Sequence, residues 1–220
     1  MLLHIDKVLT KDDCRAILDA LDAPALWRDG KATAMGGARA VKDNQQADAA
    51  SPAAKGVLSK IEAALAAHPV FKAAAQPASF ARLALNRYGE GMAYGDHVDA
   101  PYIDGTRTDL SFTVFLTEPD EYEGGALVVD NAGHEDAIRG AAGSVVLYPS
   151  SSLHRVEEVT SGARIACIGW VKSRIRSSEQ RALVFELETA LADLKTVGAP
   201  LGVYNRLLNL RNNLLRTFGD

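Results

Sequence analysis

An antiparallel β-sandwich or jelly roll carrying helices at both ends, α+β in class, is the fold that this sequence predicts. Three observations lead there. Between Phe80 and about Lys172 the apolar residues recur at the period of a strand, in short runs parted by glycines, prolines and acidic loops. Before and after that region the period is that of a helix. No βαβ alternation and no Gly-rich phosphate loop is present, which argues against a nucleotide-binding fold. At 220 residues the chain can bury a sizeable single core.

Taken in order, Thr10-Lys11-Asp12-Asp13 reads as a capped helix start, with an acid three residues after the cap, and Cys14, Ile17, Leu18 and Leu21 line one helical face. The small, polar, Gly-containing stretch Ala32 to Ala50 reads as a mobile loop. Ser51-Pro52 opens a second helix, with Ser as cap and Pro at the first helical position. Val57, Leu58, Ile61 and Leu65 form its buried stripe, and His68-Pro69 is expected to end it. Five strands are then expected, over Phe80–Tyr88, Leu110–Leu116, Ala126–Val129, Ser144–Tyr148 and Arg164–Val171. In the first of them the alternation puts Phe80, Arg82, Ala84 and Asn86 on one side and Leu83, Leu85 and Arg87 on the other. Gly124-Gly125 reads as a tight turn leading into a strand. From about Ser177 the chain is helical again, and Gly198 and Pro200 divide it into two leucine-rich helices. The division is therefore a helical support over 1–77, a β-rich core over 78–176 and a helical extension over 177–220. The extension reads either as a cover for the sandwich or as a homo-oligomer contact.

Composition narrows the function classes. The 47% apolar and 24% charged fractions are those of an ordinary globular protein, and a net charge of -4 with no basic, aromatic-interleaved cluster gives no reason to expect nucleic acid as a partner. No apolar run approaches a membrane span, and charge appears within the first six residues, so a cytoplasmic protein without a membrane partner is expected. The two cysteines, Cys14 and Cys167, fall on a helix face and inside a strand and read as small buried hydrophobes.

The chemistry is carried by His97-Val98-Asp99, by His154 and by Arg164 ten residues further on. Residues i and i+2 of a strand point to one side, so His97 and Asp99 can reach one metal while Val98 points away, and His154 is brought in by another strand. Two imidazoles and a carboxylate leave coordination positions open, the set that suits non-haem Fe(II); imidazole suits iron, copper and zinc alike, the carboxylate shifts the preference toward harder, redox-active ions, and the donor types alone do not settle the metal. The guanidinium fork of Arg164 can grip a carboxylate in two parallel hydrogen bonds; otherwise it is a strand-edge arginine in a surface ion pair. Tyr88 and Tyr94, which in isolation would each read as a half-buried aromatic, flank Gly89-Glu90-Gly91, a setting that can bring their hydroxyls near the mouth of the barrel. His4, His68 and His134 read as bland, the last in a polar loop over 131–136. No Ser-His-Asp arrangement with a nucleophile elbow and no CxxC pair is present.

The segments Tyr88-Gly-Glu-Gly-Met-Ala-Tyr94-Gly-Asp-His97-Val-Asp99, Gly124-Gly125, Leu147-Tyr148-Pro149-Ser-Ser-Ser-Leu-His154-Arg-Val and Gly162-Ala-Arg164 resemble the Fe(II)/2-oxoglutarate-dependent dioxygenases of the prolyl-4-hydroxylase type, and among them the bacterial PKHD-type hydroxylases associated with iron uptake. The resemblance runs nearly end to end. It implies a double-stranded β-helix (jelly-roll) core, His97, Asp99 and His154 as ligands of Fe(2+), and Arg164 with Tyr88 at the distal carboxylate of 2-oxoglutarate. It places Tyr94 on the substrate side. Ala126 departs from the acidic residue expected after Gly124-Gly125. The implied reaction uses O2 and 2-oxoglutarate to hydroxylate a small-molecule or protein substrate with release of succinate and CO2, and L-ascorbate keeps the iron reduced. Asp99 stands against halogenation, because halide-transferring relatives lack that carboxylate. Two other readings of the same residues are a cupin-like metal protein that performs no oxidation and a 2-oxoglutarate or iron sensor.

Overall fold

Three layers are stacked in the protein, seen in a computed structural model that describes residues 1–33 and 36–220. The first layer is helical: α1 (Lys11–Ala20), α2 (Pro52–Ala67) and α3 (Pro69–Ala75). The second is a seven-stranded sheet whose strands, from edge to edge, are Leu3–Ile5, Val145–Pro149, Leu110–Phe115, Arg164–Ser173, Pro77–Tyr88, Gln45–Ala47 and Trp27–Asp29. The third is a four-stranded sheet in the order His134–Ile138, Leu127–Asn131, His154–Val156 and Tyr94–His97. Every pairing in both sheets is antiparallel, as in a jelly-roll core.

Alternation along the strands builds two separate cores. Leu85, Val114, Val145, Leu147, Cys167 and Val171 face the helices and pack against Ile17, Leu21, Ile61, Leu65 and Phe71. The intervening residues Tyr88, Phe115, Val146 and Tyr148 face the smaller sheet and meet Leu127, Val129 and Val156. Each large apolar side chain taken fully out of water in this way contributes about 1.5–3 kcal/mol. Phe80 breaks the expected alternation: it packs on Phe71 and Phe112 on the helix side, not with Asn86. The register explains this, since Trp170 pairs with Arg82 while the next residue, Val171, pairs with Phe80, and the extra residue Ala81 reverses the side to which the chain points.

The helix signals are realised in detail. Thr10 and Asp13 cap each other reciprocally at α1, and Ser51 caps α2 with Pro52 in its first turn. His68 ends α2, but Pro69 does not start a loop: it occupies the first turn of α3, and the His68 imidazole caps that helix. In the tail, α4 (Ser178–Thr196) and α5 (Leu201–Phe218) are separated at Gly198 and Pro200, and Arg211 of α5 pairs with Glu188 of α4. No helix among the described residues is long and apolar enough to cross a membrane. Both thiols are free and buried.

Two expected loops differ. Over 32–50, where Ala34 and Met35 lie outside the described residues, the chain forms short 3-10 turns and the strand Gln45–Ala47, which extends the larger sheet by pairing with Pro77–Tyr88. His134 opens the edge strand His134–Ile138, paired with Leu127–Asn131; the polar side chains that suggested a loop sit on an exposed edge.

Candidate functional site

The smaller sheet sets the geometry. In the antiparallel pairing of Tyr94–His97 with His154–Val156, His97 stands directly opposite His154, so the two rings meet with centroids 4.2 Å apart. The strand ends at His97, and Asp99 follows just past its end. The chain still returns its carboxylate to the same place, with Asp99 Oδ2 3.7 Å from His154 Nε2. One ligand atom from each of His97, Asp99 and His154 lies within 4.8 Å of the other two, a spacing at which all three can hold one metal ion.

Surrounding groups orient these donors. His97 Nδ1 is 2.8 Å from the Gly95 carbonyl and His154 Nδ1 is 3.0 Å from the Ser152 carbonyl. A proton on each Nδ1 makes that hydrogen bond and leaves Nε2 as a lone pair facing the others. Burial, aided by the neighbouring His154, pushes the His97 imidazolium down to about 4, so the ring is neutral and available as a ligand at neutral pH. The Ser111 hydroxyl donates to Asp99 Oδ2 at 2.6 Å and lies 2.9 Å from the Ser150 hydroxyl. The Tyr94 ring stacks on His97 at 3.6 Å.

Arg164 starts the strand Arg164–Ser173 and turns into the space between the sheets, with 1% of its surface exposed. It is no surface ion pair: among the described residues no carboxylate pairs with it, and its Nε and Nη2 have no hydrogen-bond partner. Its guanidinium lies 5.4 Å from the ring centroids of both Tyr88 and Phe115. The turn at Gly124-Gly125, with φ of 69° and 62°, makes room for this arginine, because a Cβ on Gly125 would stand 3.2 Å from Arg164 Cδ. Tyr88 is 2% exposed and forms part of the interior beside Arg164, not the mouth; it pairs with Arg164 across the strands. Burial raises its phenol above the ordinary tyrosine value.

All six residues singled out in the sequence (Tyr88, Tyr94, His97, Asp99, His154 and Arg164) line one cavity of about 1160 Å³. The buried Arg164 guanidinium, whose Nε and Nη2 lack partners, and three convergent ligand atoms line the same cavity, a set that fits a metal ion together with a small dicarboxylate that chelates it. Sequence reasoning missed Ser111, Lys42, Asn86 and Trp170, which line the same cavity. Ser111 and Asn86 carried a weak signal: each alternates with apolar neighbours, Leu110 and Phe112 or Leu85, and so falls on the face opposite the helix-packed residues. Lys42 carried none, since its stretch has no periodicity.

The comparisons with known proteins converge on this region. Residues 83–172 match the 2OG-Fe(II) oxygenase superfamily. The whole chain is 42% identical over 220 residues to a PKHD-type hydroxylase of Acaryochloris marina, covering 100% of both chains, and equally to one of Parvibaculum lavamentivorans. In fold it is similar to a prolyl-4-hydroxylase of Pseudomonas putida (TM-score 0.53, 20% identity, 79% of this chain and 92% of that one). It is similar also to a Trichoplax adhaerens prolyl hydroxylase solved with a hypoxia inducible factor peptide (TM-score 0.59, 18% identity, 83% and 86% covered).

Proposed function

The chain belongs to the 2OG-Fe(II) oxygenase superfamily, among its PKHD-type hydroxylases, and from that membership we propose how its own residues run the reaction. The protein is a 2-oxoglutarate-dependent dioxygenase, a hydroxylase whose substrate is unidentified. His97, Asp99 and His154 hold Fe(2+). Arg164 receives the distal carboxylate of 2-oxoglutarate, with the Tyr88 ring packed beside it. When bound, the iron and 2-oxoglutarate supply the oxidising chemistry, in which O2 is consumed, 2-oxoglutarate leaves as succinate and CO2, and one oxygen atom is placed on a C–H bond of the substrate.

The chain's contribution is orientation and dryness. The Gly95 and Ser152 carbonyls fix the two imidazoles by their Nδ1–H groups, and Ser111 fixes the carboxylate. Leu127 and Val156 give the cavity apolar lining, backed by Phe115 and Val129 of the same core, which disfavours water beside the reacting groups. The observation that carries the reading is the unpartnered Arg164 guanidinium beside three convergent metal-ligand atoms. A non-oxidative cupin-like metal protein has no use for that arginine.

L-ascorbate is proposed as the reductant that recovers oxidised iron, on the family resemblance. A cytoplasmic setting is proposed on the two free, buried thiols, which suit a reducing compartment. A role in iron uptake rests on the family resemblance alone. The test is succinate release from 2-oxoglutarate by purified protein. It is expected to require both Fe(II) and O2 and to be abolished by Asp99→Ala. Succinate release that survives Asp99→Ala unchanged would remove the proposed iron site.

A further inference from the structure

Among the described residues, Lys42 is a second buried cation of the same cavity without a carboxylate partner. It lies between the 3-10 turn Gly36–Arg39 and the strand Gln45–Ala47, and its backbone bridges to Tyr94. Its side chain is buried, at 4% exposure, and lines the cavity that holds His97, Asp99 and His154. An ammonium has three N–H donors. One is taken by Thr33 Oγ1 at 2.9 Å, and the Tyr94 ring, with its centroid 5.3 Å away, attracts the charge without accepting the remaining hydrogens in a conventional bond. Among the described residues no carboxylate oxygen pairs with Lys42 within 4.0 Å, although other lysines such as Lys11 and Lys60 have such partners.

The two carboxylates whose fields reach Lys42 are those of Asp29 and Asp99. Both are engaged elsewhere: Asp29 accepts the Lys31 backbone N–H, and Asp99 accepts from Ser111 and belongs to the proposed iron set. Burial lowers the ammonium only to about 8, so the charge persists at neutral pH. A buried charge without a counter-ion is costly, and the cavity is the direction from which a counter-ion can arrive. The two carboxylates of 2-oxoglutarate do not meet this need. In the reading above, one chelates iron and the other reaches Arg164.

We propose that Lys42 is an anion subsite for the substrate, binding a carboxylate group on the Tyr94 side of the metal-ligand residues. The inference rests on the oxygenase reading for its claim that the anion belongs to the substrate. Lys42 thereby restricts the enzyme to molecules that present a carboxylate within reach of the hydroxylated carbon, and it acts as a specificity residue.

Acetate is the probe. Protein with isotopically labelled lysine is loaded with Zn(II) and N-oxalylglycine, a non-reacting analogue of 2-oxoglutarate, so that those sites are filled. Sodium acetate is then titrated at constant ionic strength while the Lys42 Cε–H signal is followed by NMR, assigned by its loss in Lys42→Met or, if that variant does not fold, in Lys42→Arg. The expected result is a saturable shift of the Lys42 signal with acetate and none with acetamide, while exposed Lys55 shows only a weak linear drift. A Lys42 signal that moves no differently from that of Lys55, or that responds equally to acetamide, overturns the subsite. The oxygenase reading is judged separately by the visible absorption band of the wild-type protein with Fe(II) and 2-oxoglutarate. Saturable acetate binding without that band retains the anion subsite and removes its assignment to an oxygenase substrate; the band without acetate binding removes the subsite alone.

Discussion

The two faces of the seven-stranded sheet are written by the same strands and do opposite things. On the helix side, Leu85, Val114, Val145, Leu147 and Cys167 are apolar, buried and close-packed against α1, α2 and α3. On the other side, one residue along each strand, stand Asn86, Ser111, Thr113, Tyr148 and Arg164, all buried. Several polar atoms there lack partners, including Asn86 Oδ1, Arg164 Nε and Nη2 and Trp170 Nε1. Buried polar groups are normally satisfied; Arg87 Nε, on the Leu85 side of its strand, is also an exception, but the cavity side holds Asn86, Arg164 and Trp170 together, and that grouping marks where the fold gives up stability for binding. The helix side holds the sheet in place, and the cavity side is left to be completed by ligands.

That contrast predicts mutants of opposite character. Leu147→Ala removes a fully packed side chain from the helix side and should cost about 2–5 kcal/mol of stability, read from the denaturant midpoint, while the folded fraction still binds 2-oxoglutarate with wild-type affinity. Arg164→Met should do the reverse. Replacing a buried, unpartnered cation with an apolar chain should leave the metal-free protein as stable or more stable, and weaken 2-oxoglutarate binding by about 1.5–3 kcal/mol, or roughly 10- to 150-fold. A large loss of stability in Arg164→Met with unchanged 2-oxoglutarate affinity would erase the distinction between the faces.

The smallest expected effect is one of pH. His97 has its folded value pushed down to about 4 from an ordinary 6.5, so the unfolded chain binds the proton more readily. Its contribution to stability is complete above about 6.5 and is lost as pH falls through about 4. Metal-free protein should therefore unfold at lower urea as pH drops from 7 to 5, and His97→Gln should flatten that dependence. Equal slopes in the two proteins would contradict it.

Much of this was legible in the chain. The capping pairs at Thr10 and Ser51 and the break at Gly198-Ala199-Pro200 are local signals, and the helices begin and end where they point. The donor set was legible because the chemistry of a ferrous site restricts residue types so tightly. What was hidden depends on pairing between distant strands. Nothing in the order of residues states that His97 and His154 are register partners, or that one extra residue at Ala81 returns Phe80 to the helix side. The placement of Tyr88 deep beside Arg164 was hidden for the same reason: the Gly89-Glu90-Gly91 neighbourhood suggests a rim, and only the pairing of Tyr88 with Arg164 reveals an interior position.

The central claim is that His97, Asp99 and His154 hold a ferrous ion that 2-oxoglutarate chelates while Arg164 holds its far end. Anaerobic addition of Fe(II) and then 2-oxoglutarate to the purified protein should produce the weak visible charge-transfer band of that chelate, with one iron per chain, and the band should vanish in Asp99→Ala. Well-folded wild-type protein that binds Fe(II) yet gives no band with 2-oxoglutarate, or an Asp99→Ala protein that retains the band, would contradict it.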